Sequence, residues 1–202
     1  MASPVEIQRI RLRYFLDFMR GKKICKVLDI GCQSGELCHK LVQTGHEAYG
    51  VDVVDELIEK ARSSFPQITF ECADSQKGLP FEDKYFDIVW AGDIIEHIHF
   101  TDVFVNEMNR VLKTGGLFVL STPMHNRLKN VIISLCRFEK HFDPEFPHLR
   151  FYTLNSLKNV LQKRGFSIEE VKYIGRTRLL ANSMFVVSRK HEDKIVMSKH
   201  RF

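Results

Sequence analysis

The sequence predicts an α/β domain: a doubly wound, mostly parallel seven-stranded sheet whose last strand runs antiparallel. Three observations carry this. Apolar runs near 24–30, 47–52, 68–73, 86–91 and 116–121 alternate with helical periodicity near 36–44, 55–64 and 101–113, and such alternation builds a parallel sheet with helices on both faces. The first run ends in a glycine turn that opens a helix, Val27-Leu-Asp-Ile-Gly-Cys-Gln-Ser-Gly-Glu36. Two late strands, 167–174 and 182–189, are joined by Gly175-Arg-Thr-Arg-Leu-Leu-Ala181, which is too short for a helical crossover, so they pair antiparallel.

Taken in order, an amphipathic helix from about Val5 to Arg20 comes first, with Ile7, Ile10, Tyr14 and Leu16 or Phe18 available to one face. The strand and helix units follow from about residue 23 to 190. Within them, 124–150 stands out as a long connection, and 191–202 reads as a charged tail. At 202 residues and 44% hydrophobic, the chain can bury one sizeable core.

The glycine turn describes a nucleotide-type site. Gly31 and Gly35 free the backbone to turn tightly, and the N–H groups at a helix start can receive an anionic group. Asp52, ending the run Tyr49-Gly-Val-Asp52, belongs at the carboxyl end of the neighbouring strand, where a short carboxylate accepts hydrogen bonds from ribose hydroxyls. A nicotinamide site needs G-x-G-x-x-G, and from Gly31 those positions read Gly31, Gln33 and Glu36. Two glycines are missing, and Glu36 would repel a diphosphate.

The segment Asp29-Ile-Gly31-Cys-Gln33-Ser-Gly35 instead resembles the first motif of the class I S-adenosylmethionine-dependent methyltransferases, apolar-apolar-D-x-G-x-G-x-G, with Gln33 in place of the middle glycine. Further matches run from about Ile24 to about Arg189. They are Phe70-Glu-Cys-Ala-Asp74-Ser, Tyr85-Phe-Asp-Ile-Val-Trp-Ala-Gly-Asp-Ile-Ile-Glu-His97, Arg110 to Pro123 with its Gly-Gly pair, and Phe151 to Phe166. The resemblance implies a Rossmann-like methyltransferase domain over 23–190 that binds S-adenosyl-L-methionine. It also implies roles. Gly31, Cys32 and Gly35 pass the loop beside the methionine part, Asp29 orients that loop, and Asp52 takes the ribose. Val53 flanks the adenine, Asp74 with Ser75 faces its edge, and Ala91 and Gly92 line the methionine side. Each also has a plainer reading: Asp29, Asp52 and Asp74 as capping or turn residues, Ala91 and Gly92 as room for packing.

The chemistry is then an in-line displacement in which the protein mainly aligns and desolvates. His97 is a candidate general base toward a hydroxyl, or a structural histidine bonded to backbone. Asp93 either caps the turn before Ile94 or faces the acceptor pocket. His125, His141 and His148 stand at no helical or strand pairing distance, and Cys32, Cys38 and His39 lack paired ligand spacing, so no metal is expected. The segment 124–150, with its apolar helix and proline-stiffened aromatic loop, is expected to form a lid or substrate insertion; a partner surface, in a homodimer for example, and a membrane contact are its alternatives.

Composition narrows the rest. Thirty Lys and Arg against 25 Asp and Glu give a formal net charge of +5, too mild to argue for nucleic acid. Five cysteines without C-x-x-C spacing suggest reduced thiols and a cytoplasmic protein. No run reaches the about 18 apolar residues of a membrane span. The position after the fourth strand reads Ala91-Gly-Asp-Ile, not the proline-rich motif of nucleobase amine methylation, and no Pro-Cys nucleophile occurs. The expectation is methyl transfer to an oxygen or nitrogen of a small molecule. Protein or peptide methylation and a non-catalytic cofactor-binding subunit are the alternatives, with a nicotinamide oxidoreductase last.

Overall fold

The computed structural model describes residues 4–125, 127–136, 149–175 and 181–196. The strands are β1 (Lys26–Ile30), β2 (Glu47–Asp52), β3 (Thr69–Cys72), β4 (Phe86–Gly92), β5 (Leu112–Pro123), β6 (Phe166–Ile174) and β7 (Ser183–Lys190). The helices are α1 (Pro4–Met19), α2 (Glu36–Gln43), α3 (Asp55–Ser64), α4 (Thr101–Val111), α5 (Arg127–Cys136) and α6 (Leu154–Gln162), with a single 3-10 turn at Ile95–His97. One seven-stranded sheet has the order β3-β2-β1-β4-β5-β7-β6. The first five strands pair in parallel, and β7 enters between β5 and β6 antiparallel to both.

The central strands β1, β4, β5 and β7 are mostly buried on both faces, as apolar runs with covering helices require. Side chains alternate along β4: Ile88 and Trp90 join one core, Val89 and Ala91 the other. The first core is covered by α1, α2 and α3 through Phe15, Leu41 and Ile58, the second by α4 and α6 through Phe104, Met108 and Leu161. Phe15 stacks on Trp90 with ring centroids 4.5 Å apart, and Trp90 in turn meets Phe185 at 5.7 Å. The inner face of α1 is therefore set by Phe15 and Met19, both buried, one turn apart. Of the residues expected to form it, Ile10, Tyr14, Leu16 and Phe18 flank that line and are only partly covered, and the Ile7 side chain lies outside those described.

Two boundaries differ from expectation. α4 stops at Val111 and β5 begins at once, so Gly115-Gly116 is a bulge and not the turn between them. The pairing steps from Phe86↔Leu112 to Ile88↔Leu117, and Gly115 takes φ 83 to make the extra loop fit. Residues 191–196 are held down: Val196 pairs through its N–H and C=O with the Asn106 side chain, 3.2 Å each way. Buried Lys190 donates to the carbonyls of Asn109 (2.6 Å) and Leu112 (2.8 Å).

Among the described residues no helix is long and apolar enough to cross a membrane. α6 begins with a reciprocal cap, in which Thr153 Oγ1 accepts from Ser156 N (3.1 Å) and Ser156 Oγ accepts from Thr153 N (3.0 Å). Replacing Thr153 by Ala is expected to cost about 1 kcal/mol in urea unfolding; an unmoved midpoint would show that the cap adds nothing.

Candidate cofactor and acceptor site

Winding proceeds outward from β1 in one direction and from β4 in the other, so the carboxyl ends of these neighbours mark the switch point where open α/β sheets leave a crevice. A cavity of about 340 Å³ lies there. Its floor is the loop after β1, with Asp29, Gly31, Cys32 and Gln33; its far wall is the end of β4, with Trp90, Gly92 and Asp93. Arg9, Arg11 and Leu12 of α1 close it from above.

Local geometry explains the loop. Gly31 and Gly35 have φ of 79° and 81°, the left-handed region that glycine enters without penalty. A Cβ on Gly31 would lie 2.4 Å from Ile94 Cδ1, and one on Gly35 2.5 Å from Phe70 Cζ. Gln33, standing where the resembled motif has its middle glycine, still adopts a left-handed φ of 50°. Its N–H donates to Asp52 Oδ2 at 2.9 Å, which holds that conformation, while Val54 N donates to Asp52 Oδ1 at 3.0 Å. Asp52 is nearly buried and ties the glycine loop to the turn before α3, with one more lone pair free on each oxygen.

Asp29 is buried beneath the loop. Burial, reinforced by the like charge of Asp52, pushes its carboxyl up to about 7, and a weak bond from the Cys38 thiol (3.8 Å) opposes this. Such a group is poised to gain from a cation entering the cavity. Burial also raises the thiols of Cys32 and Cys38, so both are held protonated.

Asp52 and the remaining expected residues fall at the same end of the sheet but outside the cavity lining. Gly35 packs on Phe70, Ala91 is buried in the core, and Val53 is exposed at the end of β2. Asp74 Oδ1 accepts from Gln76 N (2.9 Å) in a local turn beside Ser75, and Ala73 N donates to Asp52 O (3.0 Å), linking the ends of β2 and β3. His97 is half-buried in the 3-10 turn, its N–H donating to Ile94 O at 2.9 Å. Among the described residues no three His, Cys, Asp or Glu gather as a metal site. His125 is buried, with Nδ1 3.1 Å from Asn130 Oδ1. Of the expected lid 124–150, residues 126 and 137–148, including His141 and His148, lie outside the described residues.

Three groups at or beside the β4 end of the cavity were not singled out from sequence. Arg11 donates from Nε to Ser183 Oγ (3.0 Å) and forms an ion pair with Asp93; burial lowers its guanidinium to about 10, and Glu96 pulls in the other direction. The signal for it existed: Arg11 stands at i−4 from Phe15 and i−8 from Met19, on the buried face of α1. Ser121 donates from Oγ to Asp93 Oδ1 (3.1 Å). Glu96 is fully buried; its Oε2 accepts from Thr122 Oγ1 (3.0 Å), and its Oε1 has no hydrogen-bond partner.

A family profile described as "Methyltransferase domain" matches residues 4–171. The chain belongs to the S-adenosylmethionine-dependent methyltransferases. The span includes α1, so the helix that closes the cavity is part of the family domain. The ubiquinone biosynthesis O-methyltransferase of Rattus norvegicus mitochondria is 28% identical over 156 residues, covering 72% of this chain and 45% of that protein. The chain spans about half the length of the curated relatives it matches. In fold, it resembles a methyltransferase from Bacillus halodurans with a TM-score of 0.73 at 17% identity, covering 90% of this chain and 99% of that one. The (4+2) cyclase SpnF is as similar, with a TM-score of 0.73 at 18% identity over 95% of this chain and 84% of that one. Fold likeness therefore specifies the scaffold and not the reaction.

Proposed function

We propose that the chain transfers a methyl group from S-adenosyl-L-methionine to a hydroxyl oxygen of a small molecule. The observation that carries this is one cavity with two unlike ends: an adenosyl end lined by Asp29, Gly31 and Gln33, with Asp52 holding the Gln33 N–H, and an acceptor end lined by Asp93, Arg11 and Ser121. The donor fits these residues. Asp52 keeps two acceptor lone pairs for a ribose, and Asp29 is a buried carboxyl that a positively charged amino acid moiety would hold ionised. The bound cofactor supplies the activated methyl on a sulfonium and a thioether leaving group. The protein orients it, excludes water with α1, and receives a proton from the acceptor. Oxygen is favoured over nitrogen because the curated relatives are named as ubiquinone biosynthesis O-methyltransferases, which points to an aromatic hydroxyl. Methylation of a protein side chain and cofactor binding without turnover are the competing outcomes.

Calorimetric titration with S-adenosylmethionine, S-adenosylhomocysteine and NAD tests the first half. Binding of both adenosyl compounds with Kd on the order of micromolar, and none of NAD, is expected. Tight NAD binding, or no binding of the adenosyl pair, would sink the proposal. Assays with aromatic diols then separate turnover from mere binding.

A further inference from the structure

We infer that Asp93 receives the acceptor's hydroxyl and takes its proton, and that Arg11 is the counter-ion it exchanges for that hydroxyl. This rests on the proposed O-methyl transfer. Asp93 follows Gly92 at the end of β4 with φ 57°, a left-handed conformation that few non-glycine residues adopt. The 3-10 turn Ile95–His97 has no side-chain cap bond at Ile94, and the Asp93 carboxylate is turned instead to Ser121 and Arg11. Asp93 lines the cavity it shares with the cofactor loop, with Oδ1 fixed by Ser121 Oγ (3.1 Å), its N–H on Ser121 O (3.0 Å), and Oδ2 turned to Arg11.

Arg11 comes from a separate helix and has a second carboxylate to face. Glu96, three residues beyond Asp93, attracts it and carries Oε1 buried without a hydrogen-bond partner. When an acceptor hydroxyl takes Arg11's place on Oδ2, the guanidinium is not stranded, and Asp93 becomes more basic when a base is needed. The acceptor oxygen then gains the methyl, its O–H proton passes to Asp93 Oδ2, and the sulfonium leaves as a neutral thioether. Asp93 returns the proton to solvent after the methyl ether departs.

The probe is catechol, the smallest aromatic diol, given to full-length protein with S-adenosylmethionine. Asp93→Asn keeps the turn, since Asn tolerates left-handed backbone, and keeps an acceptor for Ser121, but it cannot take a proton. Its kcat is expected to fall at least about 100-fold with cofactor affinity and Tm near wild type, and Asp93→Glu is expected to recover about tenfold of that loss. Full turnover in Asp93→Asn, equal activity of the Asn and Glu variants, or loss of cofactor binding in Asp93→Asn overturns the assignment. Wild-type protein that binds S-adenosylhomocysteine but neither binds nor methylates catechol overturns it for aromatic hydroxyls. Wild-type protein that binds no adenosyl ligand overturns the function on which it rests.

Discussion

Replacing Asp52 by Ala is expected to weaken S-adenosylmethionine binding about a thousandfold while leaving the chain folded. The carboxylate accepts from Gln33 N and Val54 N, and so joins the glycine loop to the next strand's end. In the proposed cofactor complex its other lone pairs would be offered to the ribose. Charge-assisted hydrogen bonds are each worth about 1.5–3 kcal/mol, so losing two of them accounts for the size of the effect before any loosening of the loop. Gln33 compounds it, because its left-handed φ of 50° is held by the same carboxylate. Asp52→Asn should fall between the two, since the amide keeps one acceptor. Calorimetry on protein of unchanged circular dichroism decides it; wild-type affinity in Asp52→Ala removes Asp52 from the cofactor site. In either variant the Asp29 carboxyl is expected to titrate lower, because the like charge of Asp52 helps hold it up.

The second large effect is on stability against pH. Glu96 is pushed from an ordinary 4.5 up to about 7, first by burial, with its backbone hydrogen bond, the Thr122 hydroxyl and the Arg11 charge opposing. Between those two values the folded chain holds a proton that the unfolded chain has released, so stability falls as pH rises and levels off above about 7. Asp29 acts with the same sign, from 3.8 up to about 7. The ligand-free protein is therefore expected to lose stability from pH 5 to pH 8. Glu96→Gln removes one share of the loss: its stability relative to wild type should improve by about 2–3 kcal/mol between those pH values. Chemical denaturation at the two pH values measures this directly, and a pH-independent difference would show that Glu96 is not a buried acid in the folded state. A cation admitted to the cavity beside Asp29 should reverse that residue's part and release a proton on binding at pH 6.

Much of this site was legible because its signals are local. Tight left-handed backbone demands glycine, so Gly31 and Gly35 stand out wherever a strand runs into a helix, and Asp52 follows at the end of the next apolar run. The short link between the last two strands was enough to reverse one of them. The glycine-loop half of the cavity, proposed to hold the cofactor, therefore came from contiguous residues read in order. Gln33 shows the limit of motif reading, since it holds the glycine conformation with a side chain attached and a carboxylate 19 positions away as its support.

The proposed acceptor half was decided only by tertiary structure, because its members are brought together by packing across the chain. Arg11 meets Ser183 over a separation of 172 residues, and it does so because Phe15 stacks on Trp90 and so sets the rotation of α1. Seen in the sequence, Arg11 is one of several arginines on a charged helix. Asp93 was open between cap and pocket until its left-handed turn and the position of Ser121 on β5 directed it inward. The burial that raises Glu96 is likewise a property of β4, β5 and the segment from Leu149, whose N–H donates to the Glu96 carbonyl at 2.9 Å. Sequence determined the strands of the sheet and the glycine loop, because backbone sterics and hydrophobic period act over a few residues. Insertion of β7 between β5 and β6, closure of the cavity by α1 and the charge balance of Arg11, Asp93 and Glu96 depended on long-range packing, because side chains far apart in the chain must meet before burial can shift their charges.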